Sequence, residues 1–311
     1  MRDTYTTDDL TTDMLDGSAA VGTAGLRHSI RPRRSVIERT SGEAASRDLP
    51  APVDLIREET VHPKADTTVR YQPRNDMPRW HELAHLEAGS RRYAKTAMPV
   101  ADADRDSATV RAFDLLRTRL RHTTQENGWT NIAVCSPTSG CGNTFTAVNL
   151  ALSLSRISGS RTVLMDLNLR NPGISQAFDM TARGSMQDFL SGQTAIGDHM
   201  IRISDTLALG LNDAPDQDPA ETLQSADTAR TLERMRAALQ PELVIYDMPP
   251  MLAHDDMSAF LPQLDGVLLV SDGTQTMARD LMECERMLDG QVPLLGVVLN
   301  RARKNSIPRY A

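Results

Sequence analysis

Lysine is nearly missing from this 311-residue sequence. Lys64, Lys95 and Lys304 are the whole complement, and none lies between positions 95 and 304. Any cationic chemistry in that long central stretch must fall to arginine. Cysteine is equally scarce: Cys135, Cys141 and Cys284 are an odd number without metal-ligand spacing, which fits a reducing compartment. No run approaches the ~18 apolar residues of a membrane span, and the N-terminus lacks the basic-then-apolar layout of a signal peptide. A soluble, cytoplasmic protein is expected. The net charge is −7, so bulk attraction to nucleic acid or anionic lipid is not expected either.

Residues 1–105 also lack sustained apolar periodicity. Thr, Asp, Arg, Pro and Ala dominate, and such a composition buries too little apolar surface to offset chain entropy. This stretch is read as a low-complexity, disordered tail. Its Arg27–Arg39 cluster is read as solvated linker. Within it, Pro78–Ala94 is expected to form a short helix containing His81-Glu82-Leu83-Ala84-His85, a formal match to the H-E-x-x-H zinc motif. On a helix the two histidines would face one side. Spacing alone offers Asp102 or Asp104 as a third ligand, so the match is read as accidental.

From Ser107 the pattern changes. Val110, Phe113, Leu116 (or Leu115) and Leu120 recur at helical spacing and predict a helix over about 108–122. Apolar runs then alternate with helix patterns. Strands are expected at 131–135, 162–166, 207–211, 243–247, 267–270 and 294–299. Helices are expected at 144–157, 185–190, 219–239, 255–262 and 276–288. Continuous apolar strands separated by helices imply a doubly wound α/β domain with a mostly parallel sheet over residues 106–311.

Ligands of such sheets bind beyond the carboxyl ends of the strands. The first predicted strand leads into Ser136-Pro137-Thr138-Ser139-Gly140-Cys141-Gly142-Asn143-Thr144-Phe145, which then opens a long apolar helix. Strand, glycine-containing loop and helix is the setting of a phosphate-binding loop: small residues let N–H groups converge on an anion at a helix N-terminus. The second strand ends in Asp166 and the fourth in Asp247. With the Thr144 hydroxyl, these two carboxylates make a candidate Mg2+ site beside a candidate ATP site.

At these residues the chain resembles a known family. The motifs are Ser136-Pro137-x-x-Gly140-x-Gly142-x-Thr144, Val163-Leu164-Met165-Asp166-x-Asn168-x-Arg170-x-Pro172 and Val244-Ile245-Tyr246-Asp247-x-Pro249-Pro250. They resemble those of the bacterial protein-tyrosine kinases of capsule and exopolysaccharide synthesis, within the Min/Par-like P-loop ATPases. Residues 183–192, 218–223 and 296–300 extend the resemblance to about 111–302. It implies a P-loop NTPase fold and bound ATP and Mg2+, with Ser139, Gly140, Cys141, Gly142, Asn143, Thr144 and Phe145 around the phosphates. Asp166 would assist the metal or the attacking hydroxyl, and Asp247 would sit in the metal's outer shell. The resemblance further implies homo-oligomeric rings and a transmembrane polysaccharide co-polymerase as partner.

The departures carry as much information. Asn143 stands where the family has the phosphate lysine, and Asn168 where it has a second aspartate. The C-terminal tyrosine cluster is reduced to Tyr310, and the helix resembling the ring motif reads Arg111-Ala112-Phe113-Asp114-Leu115-Leu116-Arg117. Losing one charge-assisted phosphate contact costs on the order of 1.5–3 kcal/mol. Arg170 is the nearest replacement by motif, and an arginine from a neighbouring subunit is the other. Three readings follow: a nucleotide-binding regulator with weakened phosphotransfer, an autokinase using arginine, or a nucleotide-independent scaffold.

Overall fold

The structure is a computed structural model and describes residues 77–86 and 107–302. A single 3-10 turn (Trp80–Glu82) leads into β1 (Ala84–His85). After it come α1 (Ala108–Asn127), β2 (Asn131–Cys135), α2 (Asn143–Leu154), β3 (Thr162–Asp166), α3 (Ile174–Phe178), α4 (Met186–Leu190) and α5 (Ile196–His199). Next are β4 (Ile201–Arg202), β5 (Leu207–Gly210), α6 (Pro219–Gln224), α7 (Ala226–Leu239) and β6 (Leu243–Asp247). The chain continues through α8 (Asp256–Phe260), β7 (Gly266–Asp272), α9 (Ala278–Leu288) and β8 (Leu294–Asn300).

The strands form one sheet in the order β1-β4-β5-β3-β6-β2-β7-β8. Every pairing is parallel except β4 with β5. Side chains alternate between two cores. Ile132, Val134, Leu164 and Ile245 join α1, α2 and α3 on one face, while Ala133, Met165, Val244 and Tyr246 join α4, α7 and α8 on the other. Burial on both faces is why the strands read as continuous apolar runs rather than alternating ones. The expected doubly wound, mostly parallel architecture is the one observed.

Local chemistry sets the helix ends. Ser107 caps α1 by accepting from Val110 N, and Gly128 closes it at φ 68°. Leu116 is buried and Leu115 is 45% exposed, which settles their shared position in the helical repeat. The single helix expected over 219–239 is two. Ser225 breaks it, because its hydroxyl accepts from Thr228 N and starts α7 afresh. The short helices α3 and α5 and the two-residue strands β1 and β4 carry too few residues to show a period, and the sequence did not announce them.

One stretch read as tail belongs to the folded unit. Residues 77–86 lie on the sheet edge, with β1 paired to β4 and Leu86 N donating to Arg202 O. Trp80 and Leu83 are buried, and the Arg161 guanidinium stacks over the Trp80 ring at 5.5 Å. Burying one tryptophan and one leucine outweighs ordering a few backbone residues, which composition averaged over 105 residues hides. The same packing corrects the predicted helix. His81 lies in the 3-10 turn and His85 in β1, so they share no helix face. The remaining tail readings, Asp102 and Asp104 included, lie outside the described residues.

Candidate functional site

The loop between β2 and α2 is built on two glycines in the left-handed region, Gly140 at φ 80° and Gly142 at φ 93°. Its outer side is fully engaged. Three consecutive carbonyl oxygens each accept from a side chain at the end of β8 or just beyond β7 or β8. Gln275 Nε2 donates to Ser139 O (3.3 Å), Arg301 Nη1 to Gly140 O (2.9 Å) and Asn300 Nδ2 to Cys141 O (2.9 Å). Cys141 is buried, its Sγ 3.5 Å from Thr276 Oγ1, and is a packing residue of the loop. With the carbonyls held outward, the N–H groups of residues 139–144 make no hydrogen bond among the described residues. Six adjacent donors at the start of a 12-residue helix form an anion cradle.

Below the cradle stand the two strand-end carboxylates. Asp166 and Asp247 are register partners on β3 and β6, both fully buried. Asp166 Oδ2 accepts from Gly173 N (2.9 Å) and Ile174 N (2.8 Å) at the start of α3. Asp247 Oδ1 accepts from Asn143 Nδ2 (3.2 Å), and its carboxylate also takes the Thr144 hydroxyl. One oxygen of each, Asp166 Oδ1 and Asp247 Oδ2, has no partner. Burial pushes the Asp166 carboxyl up to about 7, against the donors on α3. Burial also raises Asp247 well above the carboxylate range, and the Asp166 charge raises it further. Two orphaned carboxylate oxygens beside a threonine hydroxyl are a hard-oxygen donor set, and that set fits Mg2+.

Asn143 does not reach where a lysine would. It is 8% exposed, and its amide is turned inward onto Asp247 and the Met248 carbonyl (2.7 Å). Asn168 closes a turn by accepting from Asn171 N (3.3 Å). Arg170, the expected replacement cation, faces the cavity with its fork already engaged: Nε and Nη2 each lie 2.8 Å from Asp256, whose side chain is 1% exposed. That pair raises the Arg170 pKa and fixes the loop after β3. Phe145 packs edge-to-face on Phe113 of α1, with ring centroids 5.9 Å apart. A cavity of about 570 Å³ is floored by the loop and walled by Arg170, Pro250, His254, Asn300 and Arg301.

The predicted residues are thus brought together at one end of the sheet, apart from the Arg170 charge, which is spent on Asp256. The outer clamp of Gln275, Asn300 and Arg301 was missed as a site feature. Only Asn300 carried a signal, as the last residue of an apolar strand motif. On α1, Asp114 binds Arg117 (3.0 Å), Arg156 (3.2 Å) and Ser153 (2.8 Å) within the chain. Tyr246 is buried, its hydroxyl donates to Asn131 Oδ1 (3.2 Å), and burial holds its pKa up at about 12.

No family model matches the chain. Among curated proteins, the tyrosine-protein kinase EpsB of Ralstonia nicotianae, itself named as an inferred kinase, is 27% identical over 206 residues. That match covers 65% of this chain and 27% of EpsB. The succinoglycan biosynthesis transport protein ExoP of Rhizobium meliloti is 29% identical over 188 residues, covering 58% of this chain and 23% of ExoP. The chain spans about a quarter of the length of these first relatives. Further relatives named as tyrosine-protein kinases are YwqD of Bacillus subtilis, 24% identical over 214 residues, and etk of Escherichia coli, 25% identical over 240 residues. The kinase domain of the Escherichia coli tyrosine kinase ETK superposes with a TM-score of 0.61 at 21% identity. It covers 73% of this chain and 92% of that domain, so the two share a fold. Among the described residues no helix is long and apolar enough to cross a membrane.

Proposed function

We propose that this chain is an ATP-binding, tyrosine-kinase-like regulator of exopolysaccharide synthesis and export whose phosphotransfer is weakened or lost. One observation carries the reading: six unpartnered loop N–H groups at the floor of a cavity stand beside two buried strand-end carboxylates, each with one orphaned oxygen. The N–H row of 139–144 is suited to a polyphosphate. Thr144, Asp166 and Asp247 would hold Mg2+, which when bound neutralises phosphate charge. The kinase homology and the succinoglycan relative point to polysaccharide production as the process, and to a transmembrane co-polymerase and further copies of the chain as partners.

Weak transfer follows from Asn143. Its neutral amide is committed to Asp247 and Met248 O, so the loop offers no ammonium to the terminal phosphate. A contact that strengthens as charge develops on the leaving group acts on turnover as well as affinity. Titration calorimetry with ATP and Mg2+ should give saturable binding. No heat at millimolar nucleotide would refute the proposal. Mass spectrometry should find little phosphotyrosine on the wild type and more on Asn143→Lys. Equal, heavy labelling of both would instead make the native chain a working kinase.

A further inference from the structure

The cavity lacks a lysine, and its obvious arginine is spent on Asp256. A second arginine lies at the opposite rim. Arg301 follows the last residue of β8 and is held there by its own backbone. It adopts φ 51°, a left-handed conformation that is unfavourable for a bulky residue and persists only where neighbours impose it. Those neighbours are on hand. Asn300 Oδ1 accepts from Arg301 N (2.9 Å), and Gly273 N donates to Asn300 O (2.8 Å). Gly273 is packed so closely that a Cβ there would lie 3.0 Å from Arg301 O.

The side chain is as constrained as the backbone. Nη1 donates both to Gly140 O of the phosphate loop and to the buried carboxylate of Asp272. Asp272 also accepts from Thr274 N (2.7 Å) and Thr274 Oγ1 (2.6 Å), so it serves as a fixed anchor. One guanidinium nitrogen is therefore pinned, while Nε and Nη2 have no partner among the described residues. The side chain is 55% exposed and lines the cavity. Arg170 shows the reverse pattern. Its Nε and Nη2, the edge that grips two oxygens at once, are both used, and the side chain is 34% exposed.

We propose that Arg301 is the phosphate-binding cation of this cavity, offering its Nε–Nη2 edge to the nucleotide's phosphate chain in place of the missing loop lysine. This assignment rests on the nucleotide-binding reading above and adds to it the residue that supplies the charge. A strained backbone, an anchor on Asp272 and a bond to the loop carbonyl hold the guanidinium ready, so little side-chain freedom is lost when the phosphate arrives. A pinned arginine at the rim aids binding without sitting where a loop lysine would follow the transferred phosphoryl group. The same feature thus supports affinity without restoring turnover.

The test uses the full chain, with a fluorescent ATP analogue displaced by ATP or by inorganic tripolyphosphate, each with Mg2+. Arg301→Ala should lower both affinities about 10- to 100-fold, and Arg301→Lys should recover much of the loss. Unchanged ATP affinity in Arg301→Ala overturns the assignment. So does a loss confined to ATP with tripolyphosphate displacement intact, since that marks contact with the base or sugar. If Arg301→Ala does not fold, Arg301→Gln carries the same comparison, because its amide retains a donor for Gly140 O while removing the charge. Failure of the wild type to bind the analogue, ATP or tripolyphosphate would refute the nucleotide reading itself and this assignment with it. Binding by wild type and Arg301→Ala alike would refute the assignment alone.

Discussion

The two sides of the loop at 136–144 are built on opposite terms. On the outer side, every carbonyl from Ser139 to Cys141 has a side-chain donor. On the inner side, the N–H row is unpaired and two buried carboxylates each leave one oxygen orphaned. Native interiors rarely leave buried polar groups unsatisfied, because each costs about 1–3 kcal/mol. Around this loop the deficits fall on the inner side, on the N–H row and the two carboxylates beneath it. The outer side is complete without a ligand and the inner side is not, which is how a rigid scaffold holds a strained site.

Breaking the outer side should give the larger effect. In Gly142→Ala the new Cβ would lie 2.3 Å from Asn300 Nδ2, in a residue held at φ 93°. Asn300 must swing away and release Cys141 O while the backbone takes on left-handed strain. Urea denaturation should show a loss of about 2–3 kcal/mol, and nucleotide binding should weaken with it. A variant as stable as the wild type would show that the clamp does not shape the loop.

The inner side should respond in the other direction, and only above a certain pH. The Asp166 carboxyl sits at about 7 because of burial, against 3.8 for the ordinary group. A raised folded-state pKa means that the protonated form adds stability below about pH 4, and that this is lost as pH rises through about 7. Asp166→Asn keeps an acceptor for Gly173 and Ile174 N but cannot ionise, and it relieves the like charge on Asp247. It should match the wild type near pH 4 and exceed it by about 1–3 kcal/mol at pH 8. Thermal melts across that range check this. Mg2+ with ATP should then raise the wild-type melting point at pH 8 and leave the variant's nearly unchanged. A wild-type melting point that climbs relative to the variant between pH 4 and 8 would contradict the account.

The inner side was legible in the sequence, and the outer side was not. Asp166, Asp247 and the glycines of the loop end or follow apolar runs, so position along the chain already placed them at one end of a parallel sheet. Gln275, Arg301 and Asn300 are separated from the carbonyls they hold by 136, 161 and 159 positions. No local period marks such donors, and only the β2-β7-β8 neighbourhood of the sheet brings them to the loop. Arg170 misled for a related reason. The motif put it beside the site, but its partner Asp256 lies 86 residues away on α8. Trp80 and Leu83 were hidden by composition, since two anchoring side chains barely alter the character of a long polar stretch.

The clamp itself can be graded by its two amide donors. Asn300 Nδ2 makes a 2.9 Å bond to Cys141 O at a partly buried position, whereas Gln275 Nε2 reaches Ser139 O at 3.3 Å in an exposed one. Water can replace the Gln275 bond but reaches the Asn300 bond poorly, so the two deletions differ in cost. Asn300→Ala should lose about 1 kcal/mol, and Gln275→Ala no more than a few tenths, by urea denaturation. ATP affinity should follow the same order, because an unheld Cys141 carbonyl can rotate its peptide unit and turn the Gly142 N–H out of the cradle. Equal costs for the two variants would mean that the loop holds its own shape, leaving the outer side as lining rather than clamp.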